Sequence, residues 1–288
     1  MHSTGRPILT APARRESILR VLARFASRIS LPAVWITGLA LVTAVAGFGP
    51  PGYLAGPLFA GCVVLLFIAP RGDSEAAPVP VGVPVAGTWR ALNSPGTKIP
   101  SHGVHDYAQT FAIDLVRIAD EPEQGSSRRI RIVSFRKPRE YPAFGAAVIA
   151  PVSGRVVVAR DRWDRDHRSR DSIAGLAYFM IENIVRSLLG RSRVLGNHIV
   201  IDAGNSVYAV VAHLRRNSAG VQFGQYVRRG EFLAECGNSG NSTEPHVHFQ
   251  LQDRPGAGAA GIPFRFESAD GSDIGVPANG ETIVSRTG

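Results

Sequence analysis

The sequence predicts a mainly β fold, an antiparallel sheet or sandwich carrying one helical insertion and preceded by a hydrophobic helical region. Three observations predict it. Beyond residue 86, short β-rich runs separated by Gly, Pro and Asn recur at 147–150, 154–159, 198–202, 207–212 and 247–252, which is the pattern of an antiparallel sheet. Residues 173–189 break that pattern, because Ile173, Leu176, Ala177, Met180, Ile184 and Leu188 recur at helical spacing. Residues 31–70 carry no charge at all.

Taken in order, residues 1–30 form a basic segment, with Arg6, Arg14, Arg15, Arg20, Arg24 and Arg28 against Glu16 alone. The uncharged stretch 31–70 is divided by Gly47-Phe48-Gly49-Pro50-Pro51-Gly52, a strong helix breaker. Each apolar half, as a helix, would be about 26 Å long at ~1.5 Å per residue, near the lower limit for a hydrocarbon core of ~30 Å. Neither half has a polar face, so one or two membrane-spanning helices are expected, with a buried soluble hairpin as the alternative. The arginines place the N-terminus in the cytoplasm. Two crossings would return the rest of the chain there. A single crossing, or cleavage after Ala44-Val45-Ala46, would export it. Residues 71–86 read as a Pro-containing linker. Residues 87–270 form the main domain, with insertions at 121–141 and 161–196, and residues 271–288 form a C-terminal tail. The helix within the second insertion is expected to cover the sheet with its apolar face; contact with a membrane surface is the alternative.

Composition narrows the function. The net charge of +9 divides into +5 over residues 1–97 and +4 over residues 98–288. The basic runs lack interleaved aromatics, so no nucleic-acid partner is expected. Cys62 lies in an apolar run and Cys236 beside a glycine-rich turn. They indicate neither a disulfide framework nor a thiolate metal site, so a metal would be held by histidine and carboxylate.

Residues of one strand alternate faces, so His246 and His248 should project to the same side. The polar loop Asn238-Ser239-Gly240-Asn241-Ser242-Thr243-Glu244-Pro245 delivers them. A catalytic zinc site takes three protein ligands and keeps one position open. Asp114 sits in the apolar stretch Phe111-Ala112-Ile113-Asp114-Leu115-Val116, where a carboxylate needs a cation, a metal or several donors. His102 and His105, in a Gly-containing loop, are each a candidate ligand. His213 closes an apolar strand, His198 reads as structural, His167 as solvated, and His2 lies in the tail.

These blocks together resemble the lysostaphin-type, LytM-like zinc endopeptidases of metallopeptidase family 23, which cut peptide bonds in bacterial peptidoglycan. The resemblance covers roughly residues 87–255 and is densest over 196–252. It rests on Ser101–Val116, on Ala150-Pro151-Val152-Ser153-Gly154-Arg155-Val156, and on the Tyr208–Leu214 and Gly237–Gln250 blocks. It implies a peptidase core of the duplicated-hairpin, lipoyl-like type and one zinc ion held by His105, Asp114 and His248. It further implies His213 and His246 as catalytic histidines that do not bind the metal. The common family pattern places a ligand four residues before the aspartate, where this chain has Thr110. His105 therefore follows a longer family variant, with His102 as the other choice. The implied partners are a peptidoglycan peptide and, through the N-terminal region, the cell membrane, with the peptidase domain on its extracytoplasmic side. A non-catalytic module of the same fold, binding cell wall or activating another hydrolase, is the alternative. A lipoyl or biotinyl carrier would need a lysine at a hairpin tip, and the only lysines, Lys98 and Lys137, lie elsewhere.

Overall fold

The computed structural model describes residues 33–34, 36–48, 52–66, 76–119 and 132–285. The basic segment 1–30 with His2, the start of the linker and most of the 121–141 insertion lie outside the described residues. Helix α1 (Gly52–Leu66) has 15 residues, about 23 Å at ~1.5 Å per residue, and residues 36–45 are also helical. Among the described residues no helix is long and apolar enough to cross a membrane. The one or two spanning helices expected over 31–70 are not found among the described residues, and residues 31–32, 35, 49–51 and 67–70 of that stretch lie outside them. The apolar stretch turns at Ala46-Gly47, where Gly47 has φ +81°.

The rest is mainly β. The strands are β1 (Val79–Gly82), β2 (Gly87–Leu92), β3 (Ile113–Arg117), β4 (Ala147–Ile149), β5 (Gly154–Arg160), β6 (His198–Asp202) and β7 (Tyr208–Ala212). They continue as β8 (Tyr226–Val227), β9 (Phe232–Glu235), β10 (Val247–Gln252), β11 (Gly261–Ile262), β12 (Phe264–Glu267), β13 (Asp273–Gly275) and β14 (Thr282–Ser285). Between β5 and β6 lie helices α2 (Ile173–Leu188) and α3 (Arg191–Leu195). The main sheet runs β14-β2-β3-β10-β7-β6-β5-β8, with β11 beside β10; its pairs are antiparallel. Thr282–Ser285, assigned to the tail from sequence, is the strand that borders β2.

Strand alternation decides what each face holds. Val247, Phe249 and Leu251 of β10 enter the core with Ile113 and Leu115 of β3 and Val211 of β7. Phe249 packs edge-on against Phe264, with ring centroids 4.9 Å apart. The opposite face of β10 carries His248, Gln250 and Gln252, and all six β10 residues are buried. That second face is closed by the 3-10 turn Asp106–Phe111 and by α3 rather than by another sheet.

Helix α2 forms where its spacing predicts it, with Ser172 Oγ capping Gly175 N at 3.0 Å. Its orientation reverses the expected one. Arg186, Ser187 and Gly175 are buried, while Leu176, Met180 and Ile181 are exposed. The reason is electrostatic. Arg186 bonds Asp164 Oδ2 at 2.6 Å, Arg170 pairs with Glu182, and these charges must face one another because each is poorly solvated. His167, expected in solvent, is buried beside Asp164 at 3.2 Å and is corrected accordingly.

Candidate metal centre

Antiparallel register places His248 of β10 directly across from Asp114 of β3 on one side and Ala212 of β7 on the other. His213 follows Ala212 at φ +61°, a left-handed conformation that a non-glycine residue adopts at a cost. It turns the chain off the sheet and its ring toward β10, 4.7 Å from the His246 ring and 5.6 Å from the His248 ring.

The first candidate ligand comes from a loop closed on itself. Ser101 N donates to Thr110 O at 3.1 Å and Ser101 Oγ to Gln109 O at 3.0 Å. Tyr107 and Ala108 make the reversal with φ of 58° and 66°. This folds His102 back over β3, with Nε2 3.1 Å from Asp114 Oδ2. His248 Nδ1 lies 2.9 Å from Asp114 Oδ1. The donor atoms of His102, Asp114 and His248 all lie within 4.8 Å of one another. The structure does not bring His105 into this group; its Nδ1 lies 3.0 Å from Thr110 Oγ1.

The surrounding hydrogen bonds fix which ring nitrogens carry protons. Gln250 Nε2 donates to Tyr107 O at 2.8 Å and to Gln252 Oε1 at 2.9 Å. Its Oε1 therefore accepts from His248 Nε2, at 2.9 Å. His248 Nδ1 is left with its lone pair toward Asp114. Likewise Ser101 Oγ gives its proton to Gln109 O and accepts from His102 Nδ1 at 3.0 Å, leaving the Nε2 lone pair toward Asp114. Three lone pairs thus converge, an arrangement that is repulsive until protons or a cation enter it. Two imidazole nitrogens and one carboxylate oxygen form a donor set that suits zinc, with a further position free for water. Asn93 Nδ2 steadies Asp114 Oδ2 at 2.7 Å.

Burial would raise the Asp114 pKa, but the His102 and His246 imidazoles overcome it and hold the carboxylate well below its usual range. Burial lowers His213, reinforced by the charges of His246 and His248. Burial also lowers His248, against its bond to Asp114. His246 moves the other way: burial opposes its charge, yet Asp114, 3.6 Å away, raises its pKa. His213 Nδ1 donates to Ser239 O at 2.9 Å and His246 Nδ1 to Glu244 O at 2.8 Å, so both keep Nε2 for other work. His102, Asp114, His213, His246 and His248 are thus gathered in one place, without His105, with one base neutral and one imidazole inclined to charge.

The loop that delivers His246 is bound along its length by the second insertion. Asn238 N meets Asp166 Oδ1 at 2.9 Å, Gly240 N meets Asp164 Oδ2 at 2.9 Å, and Arg170 Nη1 meets Ser242 O at 2.6 Å. Gly240 and Gly196 cross so closely that a Cβ on Gly240 would stand 2.5 Å from Gly196 N, a contact only glycines allow. Gln250, Gln252 and Asn93 were not singled out from sequence. The signal for the two glutamines was legible: polar residues alternating with apolar ones on the face of His248.

Residues 183–259 match the family model of peptidase family M23. Among solved structures, the catalytic domain of lysostaphin from Staphylococcus simulans is similar at 18% identity, covering 63% of this chain and 86% of that chain with a TM-score of 0.31. A peptidase M23 chain from Pseudomonas aeruginosa is similar at 18% identity, covering 47% of this chain and 45% of that chain with a TM-score of 0.26. Helicobacter pylori Csd3 is similar at 16% identity, covering 66% of this chain and 33% of that chain with a TM-score of 0.33. This chain therefore spans less than half the length of the Pseudomonas aeruginosa structure and a third of Csd3.

Proposed function

We propose that this chain, whose residues 183–259 match the model of peptidase family M23, is a LytM-like zinc-dependent endopeptidase hydrolysing peptide bonds of peptidoglycan in cell-wall remodelling. The observation that carries this reading is the buried His213–His246 pair standing beside the His102, Asp114 and His248 group. In it, His102, Asp114 and His248 hold one zinc ion, and His213 and His246 serve the substrate without binding metal. The chemistry a bound zinc supplies is Lewis acidity toward water and toward the scissile carbonyl. His246, in its protonated form, meets the negative charge that grows on the carbonyl oxygen. His213, held neutral by burial, offers Nε2 as a base and passes a proton to the leaving amine. Residues 87–270 are the peptidase domain in this reading, acting on the extracytoplasmic side of the cell membrane.

The test is digestion of purified peptidoglycan by the full-length chain, with mass analysis of the released fragments. New peptide termini are expected with zinc present. His248→Ala should lose zinc and cleavage together, whereas His213→Ala should keep zinc and lose cleavage. A zinc-loaded wild-type chain that leaves peptidoglycan intact would overturn the endopeptidase reading in favour of a non-catalytic wall-binding module.

A further inference from the structure

Helix α2 is amphipathic the wrong way round for a core helix. Its polar side, with Glu182, Arg186 and Ser187, is turned into the protein. Its apolar side, with Leu176, Tyr178, Met180, Ile181, Val185 and Leu188, is exposed along about 24 Å at ~1.5 Å per residue. The patch does not end with the helix. Ile132 O accepts from Ala174 N at 3.0 Å, the Phe135 ring meets Tyr178 edge-on at 6.4 Å, and Ile132, Val133 and Phe135 are themselves exposed. A contiguous apolar face of this extent marks an interaction surface.

The charge around it identifies the occupant. Lys137, Arg139 and Arg168 are exposed beside the N-terminal end of the patch, and Arg168 is held there by a 3.0 Å bond to Phe135 O. The acids of the same insertion point inward. Asp161 accepts Ser218 N, Asp166 accepts Asn238 N, Asp171 pairs with Arg136, and Asp164 and Glu182 are engaged by arginines. Glu140, the exposed acid at that edge, accepts the Lys137 amide at 3.0 Å. An apolar strip with exposed cations clustered at one end fits the acyl boundary and phosphates of an anionic leaflet. We propose that α2 docks this domain flat on an anionic bilayer surface, with Ile181 and its neighbours in the acyl boundary and Lys137, Arg139 and Arg168 at the headgroups. The docking is independent of the zinc chemistry and uses no residue of that site.

The full-length chain is mixed with vesicles of phosphatidylglycerol and phosphatidylcholine carrying a photoactivatable acyl chain, and with vesicles of phosphatidylcholine alone. Cross-links within residues 173–189 and several-fold slower amide exchange there are expected with the anionic vesicles, both fading as salt rises. Ile181→Glu and Leu188→Glu, each at an exposed position, should lose both signals while exchange in β6, β7 and β10 shows them folded. Cross-links confined to residues before 76 would overturn the proposal. So would protection of 173–189 that grows with protein concentration in the absence of lipid, which would make the occupant a second copy of the chain.

Discussion

Gln250 accepts the outer proton of His248 at 2.9 Å and can do nothing else with that oxygen, because its amide nitrogen is committed to Tyr107 O and Gln252 Oε1. Gln252 is in turn engaged by Arg191, so the orientation of a candidate ligand traces back to α3 in the second insertion. A ligand histidine whose tautomer is fixed in this way binds metal without first reorganising.

Gln250→Ala should weaken zinc binding by about 10–100-fold, measured by competition with a chromophoric chelator, while the fold is kept. Gln250→Glu keeps an acceptor for His248 but loses the two donations, and should fall between wild type and alanine. Unchanged affinity in both variants would detach His248 from this relay.

The two loop histidines separate cleanly. His102→Ala should abolish stoichiometric zinc binding, because Nε2 is one of three converging donors. His105→Ala, whose ring meets Thr110 Oγ1, should keep the metal. Metal analysis of the purified variants decides, and the reverse result would mean that the loop rearranges on loading.

Arg170 is 2% exposed and pairs with Glu182 while donating to Ser242 O. Arg170→Ala leaves the half-buried Glu182 carboxylate with Arg186 alone, 3.7 Å away, and should cost about 1–3 kcal/mol of stability. Amide exchange over 238–243 should rise first, since the loop loses its guanidinium anchor. Thermal melts combined with exchange mass spectrometry would show both.

His198 gives the folded state a pH dependence of its own. Burial, with Arg191 and Arg160 nearby, pushes its pKa from 6.5 down to about 4, against the bond to Gly196 O. The unfolded chain therefore binds the proton first, and stability drains away as pH falls from 6.5 toward 4. The difference is on the order of 3 kcal/mol for that one group. Denaturant melts across this range should flatten in His198→Asn; an equally steep profile would assign the acid sensitivity to other groups.

The strands were legible because their signal is local. The runs at 198–202 and 247–252 coincide with β6 and β10, and the face shared by His246 and His248 follows from alternation alone. The choice between His102 and His105 was not legible. It depends on the reversal at Tyr107 and Ala108, two non-glycine residues in left-handed conformations that no turn signature announces. Helix α2 illustrates a different limit. Periodicity identifies an apolar face but not the direction it points; here Asp164, Arg170, Glu182 and Arg186 reverse it by pairing underneath.

The bonds from the second insertion reach loop residues 238, 240, 241, 242 and 243 in turn. Replacing 161–196 with a short connector would therefore not uncover a working cleft. It would strip partners from five loop positions at once and let His246 wander. Anyone recombining this domain with a relative must move the insertion and the loop as one cassette, since neither would keep its shape beside a foreign partner.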